Sequence, residues 1–407
     1  MTARKILIIG AGPAGVGAAM GARAQDVAAE ITLLSDEHCE PYEKPPLSKA
    51  VLTGKAGAHD APIAGPKGIA GHGVTIKHGA RVRAIDRAAR VVTMGAGERI
   101  PYDALVIATG AVNRVLPMFP LGSPGIYYLR TADEALALKA HLNVAKSLIL
   151  IGGGVVGLEI AASAAELGLK VTVIEIAPRI LSRVCDEDTS AIIHQRHKDF
   201  EVDIRTGTAS AGLQQLPDGK LAVVTKAGET LTADLIVVGA GAVPDEALAT
   251  SAGLAVQDGI LVDDHGRTSD PLIFAAGDCT RFTGPNGPVR LENWRHAQEH
   301  GAVAGRNAAG GDTAYNTAPS YWSEQYDLYI QGVGWPVAEP SARVRRKISD
   351  KATLLFELDG TRIAYAIGIN AQRDIAATRR LIERRIAVDA AELADPAKPL
   401  NAMLQKK

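Results

Sequence analysis

The stretch Lys5–Gly15 constrains the fold more than any other part of this 407-residue chain. A run of large apolar residues, typical of a buried parallel strand, leads directly into Gly10, Gly12 and Gly15. In a dinucleotide-binding βαβ unit the first glycine permits a tight turn, the second lets the backbone approach a pyrophosphate, and the third lets the helix pack on the strand. The amides at the start of that helix attract phosphate charge. The spacing therefore predicts a dinucleotide site.

The same signature returns 142 positions later, where an apolar run leads into Gly152, Gly154 and Gly157. Farther along each half, two carboxylates and a glycine recur at a common offset of 131: Glu98, Asp103 and Gly110, then Glu229, Asp234 and Gly241. Two matched signatures with matched spacing predict two dinucleotide-binding units, not one unit and a chance glycine turn.

An acidic residue follows the second predicted strand of each unit. A carboxylate about 20 residues beyond the glycines can hold a ribose hydroxyl. Asp36 is the candidate in the first unit, although a turn-forming aspartate is an equal interpretation. Glu175 would accept a hydrogen bond from a free 2′-hydroxyl and repel a 2′-phosphate, which favours NADH over NADPH. Arg179 and Arg183 lie close by and could soften that preference.

Composition excludes several classes of function. The formal net charge is −1, which gives no general attraction to nucleic acid or to an anionic membrane surface. No apolar run approaches the roughly 20 residues that span a bilayer. A basic pair and small residues near the N-terminus resemble a secretory signal, but the periodic glycines explain the same stretch better.

The three cysteines are Cys39, Cys185 and Cys279. They are widely separated, odd in number and lack a C-x-x-C pair, which argues against a disulfide framework, a zinc site and a dithiol redox centre. We expect reduced thiols and a cytoplasmic protein.

Local signals mark three further features. Pro45 and Pro46 predict that no helix begins before Leu47. Asn293 is a candidate N-cap for a helix that continues to about residue 307. From about residue 315 the chain becomes richer in aromatic residues, with strand-like runs and an amphipathic helix, which predicts a third, smaller α+β domain.

Together these motifs resemble the FAD-dependent NADH:ferredoxin reductases of bacterial oxygenase systems, the putidaredoxin-reductase-like family that serves aromatic-ring dioxygenases and cytochromes P450. The resemblance covers nearly the whole chain. The segments that carry it are Lys5–Gly15, Pro45–Lys49, Ala108–Gly110, Gly152–Glu159, Gly277-Asp278, Glu292–Gln298 and Trp322–Gln325.

The resemblance implies an α/β fold of glutathione-reductase-like architecture, with two Rossmann-like dinucleotide-binding domains and a smaller C-terminal α+β domain. Residues 1–112 and 243–314 would form the FAD-binding domain, 113–242 the NADH-binding domain and 315–407 the C-terminal domain. Hydride would pass from NADH to FAD, and single electrons would then pass to a [2Fe–2S] ferredoxin. The partner brings the iron, so no metal site is expected on this chain.

In this family Lys49 and Glu159 are expected to form an ion pair beside the flavin and nicotinamide. Glu159 is expected in the first turn of the second unit's helix, where its charge suits the dipole; a surface carboxylate is the alternative. Trp322 would border the flavin or lie in the core of the small domain. Lys44 stands where the family usually carries arginine, so a compact ammonium charge replaces a planar guanidinium that could make two hydrogen bonds at once.

The cofactor-binding residues expected from the glycine pattern and the resemblance fall into two sets. The set for FAD is Gly10, Gly12, Ala14, Gly15, Asp36, Lys44, Pro45, Lys49, Val82, Thr109, Gly110, Arg130, Asp278, Trp294, Ala297 and Trp322. The set for NADH is Gly152, Gly154, Val155, Val156, Gly157, Glu159, Glu175, Arg183 and Gly241.

The helix after Trp294 would direct its N-terminus at the flavin's pyrimidine edge. His296, at its start, is interpreted as a satisfied structural histidine and not as a proton-transfer group.

We expect the ferredoxin contact to be transient and salt-sensitive, and the chain to be a monomer or a homodimer. The candidate docking residues, which could equally be scattered solubilising charges, are Arg290, Arg295, Arg306, Arg343, Arg345, Arg346, Arg379 and Arg380.

Three other functions use the same scaffold. A disulfide reductase needs a paired cysteine motif near the flavin, and the sequence has none. An NADH oxidase or peroxidase needs a redox cysteine or an oxygen-accessible flavin, and Cys39 lies near the Pro45 loop. An NAD-responsive flavoprotein that acts by binding would share every nucleotide motif.

Overall fold

A computed structural model describes residues 3–405. The α-helices are α1 Pro13–Gln25, α2 Ala132–Leu142, α3 Val155–Glu166, α4 Glu187–Asp199, α5 Ala247–Ser251, α6 Trp294–Ala308, α7 Gln372–Glu383, α8 Ala390–Ala394 and α9 Leu400–Met403. Short 3₁₀ helices cover Pro45–Ser48 and Ala70–His72.

The strands, in chain order, are β1 Lys5–Ile9, β2 Glu30–Leu34, β3 Thr75–Lys77, β4 Val82–Asp86, β5 Val91–Met94, β6 Arg99–Pro101, β7 Ala104–Ile107, β8 Ala111–Asn113, β9 Ile126–Tyr127, β10 Ser147–Ile151, β11 Lys170–Ile174, β12 Asp203–Arg205, β13 Ser210–Gln215, β14 Leu221–Thr225, β15 Thr230–Ala233, β16 Leu235–Val238, β17 Ala242–Pro244, β18 Ile260–Leu261, β19 Ile273–Ala275, β20 Thr280–Gly284, β21 Gly287–Val289, β22 Ser320–Gln325, β23 Leu328–Gly334, β24 Ala342–Lys347, β25 Thr353–Asp359 and β26 Arg362–Ile369.

The chain divides into two compact units. The first comprises the chain up to Glu43, His59–Val112 and Val243–Ser320. Its central sheet is parallel, in the order β19-β7-β1-β2-β3, and β4, β5 and β6 form a separate antiparallel sheet. The apolar residues of β1 and β7 are buried on both faces, as a parallel sheet covered by helices requires.

The second unit comprises Lys44–Ala58, Asn113–Ala242 and the chain from Tyr321 onward. It contains a parallel sheet in the order β12-β11-β10-β16-β9 and an antiparallel sheet in the order β22-β23-β26-β25-β24. Side chains of both sheets, among them Leu150 and Ile367, share one hydrophobic cluster. The predicted fold class is confirmed, whereas the three domain boundaries stay a prediction.

The carboxylates that repeat in the sequence have matching structural roles. Asp103 accepts a hydrogen bond from the backbone N–H of Lys5 at 2.8 Å, and Asp234 accepts from the N–H of Ser147 at 2.9 Å. Asp103 therefore fastens the start of β7 to the start of β1, and Asp234 fastens the start of β16 to the start of β10. These hydrogen bonds hold the pKa of Asp234 below its usual value, against the opposing effect of its burial.

Helices α1 and α6 of the first unit approach each other through glycines. A Cβ on Gly305 would lie 1.9 Å from the carbonyl oxygen of Ala18, and one on Gly301 would lie 2.1 Å from that of Ala14. Gly17 and Gly21 make the reciprocal contacts with α6. The glycine-rich composition of α1 is thus required by backbone packing, which also sets the position of α6.

We expect Gly305→Ala to destabilise the first unit. Alanine favours an isolated helix by about 1 kcal/mol, but the clash with a backbone carbonyl forces the helices apart and should cost about 1–3 kcal/mol overall. The midpoint of chemical unfolding, followed by circular dichroism, measures this change. Gly95→Ala is the control, because its Cβ would meet no atom closer than 3.5 Å. Equal stability of the two variants would contradict the packing argument.

Among the described residues, no helix combines the length and apolar character needed to cross a bilayer. The prediction that no helix begins before Leu47 is wrong, because the 3₁₀ helix starts at Pro45. A proline at the first positions of a helix is tolerated since no partner for its missing N–H is needed there, and its fixed φ suits the turn.

Candidate functional site

The two glycine turns have the same internal geometry. A Cβ at Gly10 would lie 2.2 Å from the carbonyl oxygen of Ala108, and one at Gly152 would lie 2.5 Å from that of Gly239. Both glycines have positive φ, 101° and 108° respectively. Neither position therefore admits another residue without moving the loop that follows β7 or β16.

The second glycine of each turn behaves differently. A Cβ built on Gly12 or Gly154 would meet no atom within 4 Å. Each of these glycines is the N-cap of its helix, with no side-chain cap and no acidic residue in the first turn. Helix N-termini with such open space beside them suit a phosphate group. The open second glycine in each turn fits a dinucleotide pyrophosphate.

The third glycines pack inside the turns. A Cβ at Gly15 would lie 1.8 Å from the carbonyl oxygen of Gly10, and one at Gly157 would lie 2.4 Å from that of Gly152. These contacts bring the first turn of each helix against the strand that precedes it, which directs the helix N-terminus toward the turn.

Further residues predicted to bind FAD surround the first turn. Gly277 meets α1 and α6, since its Cβ would lie 2.7 Å from the Cβ of Ala14 and 3.5 Å from that of Ala297. Asp278 follows directly in sequence. Asp36, just beyond β2, is exposed and lies 3.8 Å from Arg81.

Val82, Thr109, Gly110 and Trp294 also lie in this unit. Val82 is buried, and Thr109 donates a hydrogen bond to the carbonyl of Asp245 at 2.6 Å. Gly110 accepts one from the N–H of that same residue at 2.9 Å. Trp294 begins α6 and hydrogen-bonds Glu43, whose pKa is raised mainly by burial and lowered by this contact.

Asn293 caps α6 as predicted, because its side chain accepts the N–H of His296 at 3.0 Å. His296 itself is buried, and its Nδ1 lies 2.8 Å from the hydroxyl of Tyr315. Burial holds its pKa well below the usual value, and the neighbouring His300 lowers that pKa further. A neutral, enclosed imidazole agrees with a structural role, but the histidine is not fully satisfied, because its buried Nε2 has no hydrogen-bond partner among the described residues.

Glu175 holds the second glycine turn together. One carboxylate oxygen accepts the N–H of Gly153 at 2.6 Å, and the other accepts the N–H of Ala177 at 2.7 Å. The side chain is half-buried at the end of β11, and Arg183, near Gly241, is exposed. Glu175, which is predicted to bind the ribose, thus also orients the backbone of the turn. Its position in the sequence does not indicate this second role.

The second unit brings Lys49 and Glu159 together. The Lys49 ammonium lies 3.2 Å from Oε1 of Glu159, which is only 4% exposed. Ser48 donates a hydrogen bond to Oε2 at 2.5 Å, and Ser323 donates one to Oε1 at 2.8 Å. A buried carboxylate requires such compensation. Glu159 is therefore not a surface carboxylate.

The expectation that Glu159 occupies the first turn of its helix is wrong. It is the fifth residue of α3, and the first turn contains no acidic residue. One turn later on the same face, Ser163 donates a hydrogen bond to the carbonyl of Ser48 at 2.8 Å. Side-chain contacts, and not the helix dipole, hold this charge.

Ser48, Ser163 and Ser323 were not predicted as site residues. A spacing of four from Glu159 could have indicated Ser163, because such residues share a helix face. Nothing in the sequence indicates that β22 brings Ser323 to α3.

The remaining predicted residues of this unit have ordinary contacts. Lys44 donates a hydrogen bond to the carbonyl of Arg130 at 3.3 Å, and Pro45 begins the 3₁₀ helix. Val155 and Val156 open α3, with Val156 exposed. Trp322 is half-buried in β22.

The prediction that Arg346 is a docking residue is wrong. Arg346 is buried, and its guanidinium donates hydrogen bonds to the carbonyls of Leu393, Asp395, Pro396 and Lys398. It satisfies the carbonyls at the end of α8, which otherwise would lack partners. Its charge is therefore unavailable to another protein.

No disulfide joins the three cysteines, all of which lie in the described chain. Burial raises the pKa of the Cys185 thiol to about 12 and that of Cys279 to about 11. Thiols held in this form are poor nucleophiles. The geometry gives no support to thiol chemistry at either position.

Residues 4–301 match the family described as pyridine nucleotide-disulphide oxidoreductase, and residues 320–404 match a reductase C-terminal domain. The chain belongs to the pyridine nucleotide-disulphide oxidoreductase family. The predicted family resemblance is confirmed by relatives that align over nearly the full length.

Two relatives and one solved structure illustrate this similarity. The chain is 35% identical over 392 residues to rhodocoxin reductase of Rhodococcus erythropolis, covering 96% of this chain and 92% of the relative. It is 37% identical over 412 residues to the anthranilate 1,2-dioxygenase system ferredoxin–NAD(+) reductase component of Burkholderia cepacia, covering 99% and 100%. The crystal structure of the covalent putidaredoxin reductase–putidaredoxin complex matches with a TM-score of 0.92 and 34% identity, over 98% of both chains.

Acidic pH should destabilise this protein. Burial lowers the pKa of His197 and of His300 from 6.5 to about 4 in each case. Between about pH 6.5 and about pH 4 the unfolded chain therefore binds more protons than the folded chain. The free energy of unfolding falls as the pH drops through this range. Each histidine contributes about 1.4 kcal/mol per pH unit. Urea unfolding at a series of pH values measures the slope.

His300→Gln should flatten this dependence because it removes one of the buried histidines whose pKa is lowered. His141→Gln, at an exposed histidine, is the control and should leave the slope as it is. An unfolding midpoint that does not change between about pH 6.5 and about pH 4 would contradict the argument.

Proposed function

We propose that this chain is an FAD-dependent NADH:ferredoxin oxidoreductase that passes electrons to a [2Fe–2S] ferredoxin serving a ring-hydroxylating dioxygenase or a cytochrome P450. The observation that carries the proposal is the pair of glycine turns with open second glycines, Gly12 and Gly154. The full-length similarity to reductase components of oxygenase systems supports it.

The first unit would hold FAD. The turn at Gly12 would receive the pyrophosphate, and Asp36 would bind the adenosine ribose. Asp278, which follows the turn at Gly277, would bind the ribityl chain. The capped N-terminus of α6 would support negative charge on the bound flavin.

The second unit would hold NADH. The turn at Gly154 would receive its pyrophosphate, and Glu175 would accept a hydrogen bond from the ribose 2′-hydroxyl. Lys49, paired with Glu159, would contact the reacting rings and help to orient them. Hydride transfer requires this positioning more than it requires a side-chain acid or base.

When bound, FAD supplies the chemistry that turns a two-electron hydride donor into two one-electron deliveries. The chain's own residues bind and orient the two nucleotides, keep the Lys49–Glu159 charges compensated and present a surface to the partner.

We further propose that the ferredoxin contact is transient and salt-sensitive. With Arg346 buried, the exposed arginines that remain among the candidates are Arg295, Arg306, Arg343 and Arg380. Weak contacts made through such exposed charges are screened by salt. We also propose a cytoplasmic location, which the absence of disulfides among the described cysteines supports.

The decisive experiment mixes the FAD-loaded protein with NADH without oxygen, then adds ferredoxins and cytochrome c. We expect fast bleaching of the flavin absorbance by NADH and slower bleaching by NADPH. Cytochrome c should remain oxidised until a [2Fe–2S] ferredoxin is present, and its reduction should slow as salt is raised.

Other outcomes identify the alternatives. Rapid NADH consumption with oxygen and without ferredoxin would indicate an oxidase. Slow flavin reduction with no ferredoxin-dependent turnover would indicate a protein that responds to NAD by binding. Either result would overturn the proposed function.

Glu175→Gln should reduce the preference for NADH. The substitution removes the charge that repels a 2′-phosphate but keeps one oxygen to accept a backbone N–H. We expect kcat/KM for NADH to fall about tenfold, as for loss of a hydrogen bond to a charged group, and that for NADPH to fall less. Glu187→Ala, at the exposed start of α4, is the control. An unchanged ratio of the two kcat/KM values would refute the role of Glu175.

A further inference from the structure

A line of hydrogen-bonded side chains runs from Glu159 through the second unit. Ser323 donates to Glu159 at 2.8 Å, and the amide nitrogen of Gln325 donates to the Ser323 hydroxyl at 3.0 Å. The amide oxygen of Gln325 lies 2.9 Å from Nε2 of His197, and Nδ1 of His197 lies 3.2 Å from the Tyr326 hydroxyl. The line joins α3, β22, α4 and the turn after β22.

The donors and acceptors along this line have a single consistent direction. Because the amide N–H of Gln325 is used on Ser323, its oxygen faces His197, and Nε2 of His197 must therefore carry the proton. The other imidazole nitrogen then accepts the Tyr326 hydroxyl. Every proton points toward Glu159, and aligned hydrogen bonds of this kind strengthen one another.

Its interior members are deeply buried. Ser323, Gln325 and His197 are each at most 2% exposed. Buried polar groups are costly unless all their hydrogen bonds form, so a line of this length is weak evidence for a role in stability. None of these three residues has a part in nucleotide binding as described above.

The far end of the line is under conformational strain. Tyr326 has φ of +57°, a left-handed conformation that favours glycine and is uncommon for an aromatic residue. It occupies the first position of the two-residue turn between β22 and β23. Its ring stacks on Phe200 with a centroid separation of 3.9 Å. Strain of this kind persists where surrounding contacts determine the position of the side chain.

We propose that Ser323, Gln325 and His197 are positioning residues that hold the Glu159 carboxylate, and through it the Lys49 ammonium, in the orientation used for hydride transfer. The proposal rests on the proposed function. Since Gln325 supplies a proton to the Ser323 oxygen, the Ser323 hydroxyl has its own proton directed to Glu159. The carboxylate is thereby fixed from the side opposite to Ser48, which donates to its other oxygen.

The test measures anaerobic flavin reduction by NADH in Ser323→Ala and His197→Phe. We expect the limiting rate to fall about tenfold in Ser323→Ala, the loss expected for one hydrogen bond to a charged group. The fall in His197→Phe should be smaller because its effect is relayed. The NADH concentration for half-maximal rate should change by less than about twofold, because the glycine turn is untouched.

The control is Thr378→Val, which removes a fully buried hydroxyl from α7 of the same unit. It should leave the rate unchanged. Ser323→Thr, which keeps the hydroxyl, should recover most of the wild-type rate. If Ser323→Ala and Thr378→Val have the same limiting rate, the proposal is overturned.

A double-mutant cycle separates positioning from general loss of structure. In a Glu159→Gln background, Ser323→Ala should change the rate little further, because residues that act through one group are not additive. Independent, multiplying losses would overturn the proposal. If NADH does not reduce the flavin of the wild-type protein, that result would instead contradict the proposed function.

Discussion

The close approach of the backbone at the first glycine of each turn is the constraint on which both nucleotide-binding units depend. At Gly10 the missing side chain leaves space for the carbonyl of Ala108, directly after β7, and at Gly152 it leaves space for the carbonyl of Gly239, directly after β16. That contact bends the chain from strand into helix and exposes the helix N-terminus. The same physical requirement, met twice in one chain, produces two sites with one geometry.

A second constraint is the burial of charge at Glu159. Its carboxylate lies inside the second unit and is stabilised by an ammonium and two hydroxyl groups. Removing any of these leaves a buried charge with an incomplete set of partners, which is more costly than the loss of one hydrogen bond at the surface. The antiparallel sheet that carries Ser323 is therefore joined to the nucleotide-binding part of this unit by a buried hydrogen bond to Glu159 as well as by apolar packing.

The wrong expectations have two different physical origins. The prediction for Pro45 and Pro46 applies the rule for helix interiors, but the two prolines occupy a helix start, where the missing N–H is harmless. The sequence predicts a surface charge at Arg346 because nothing local distinguishes this arginine from its neighbours. Its burial results from the chain returning, some fifty residues later, with carbonyl groups that need donors. The outcome at the two prolines thus follows from their position within the helix, whereas the outcome at Arg346 depends on partners distant in sequence.

Sequence alone determined the two parallel sheets, their glycine turns and the cap at Asn293, because strand hydrophobicity, φ requirements and capping act over a few residues. It also determined the family, since the motifs occur in a fixed order along the whole chain. Only the tertiary structure decided what surrounds Glu159, which arginines remain exposed and how Gln325 and His197 are connected. The contacts of Glu159 and of Gln325 with His197 join segments more than a hundred residues apart, and those of Arg346 join segments about fifty residues apart. Side-chain burial, which decides the strength of a polar contact, exists only after the chain has folded.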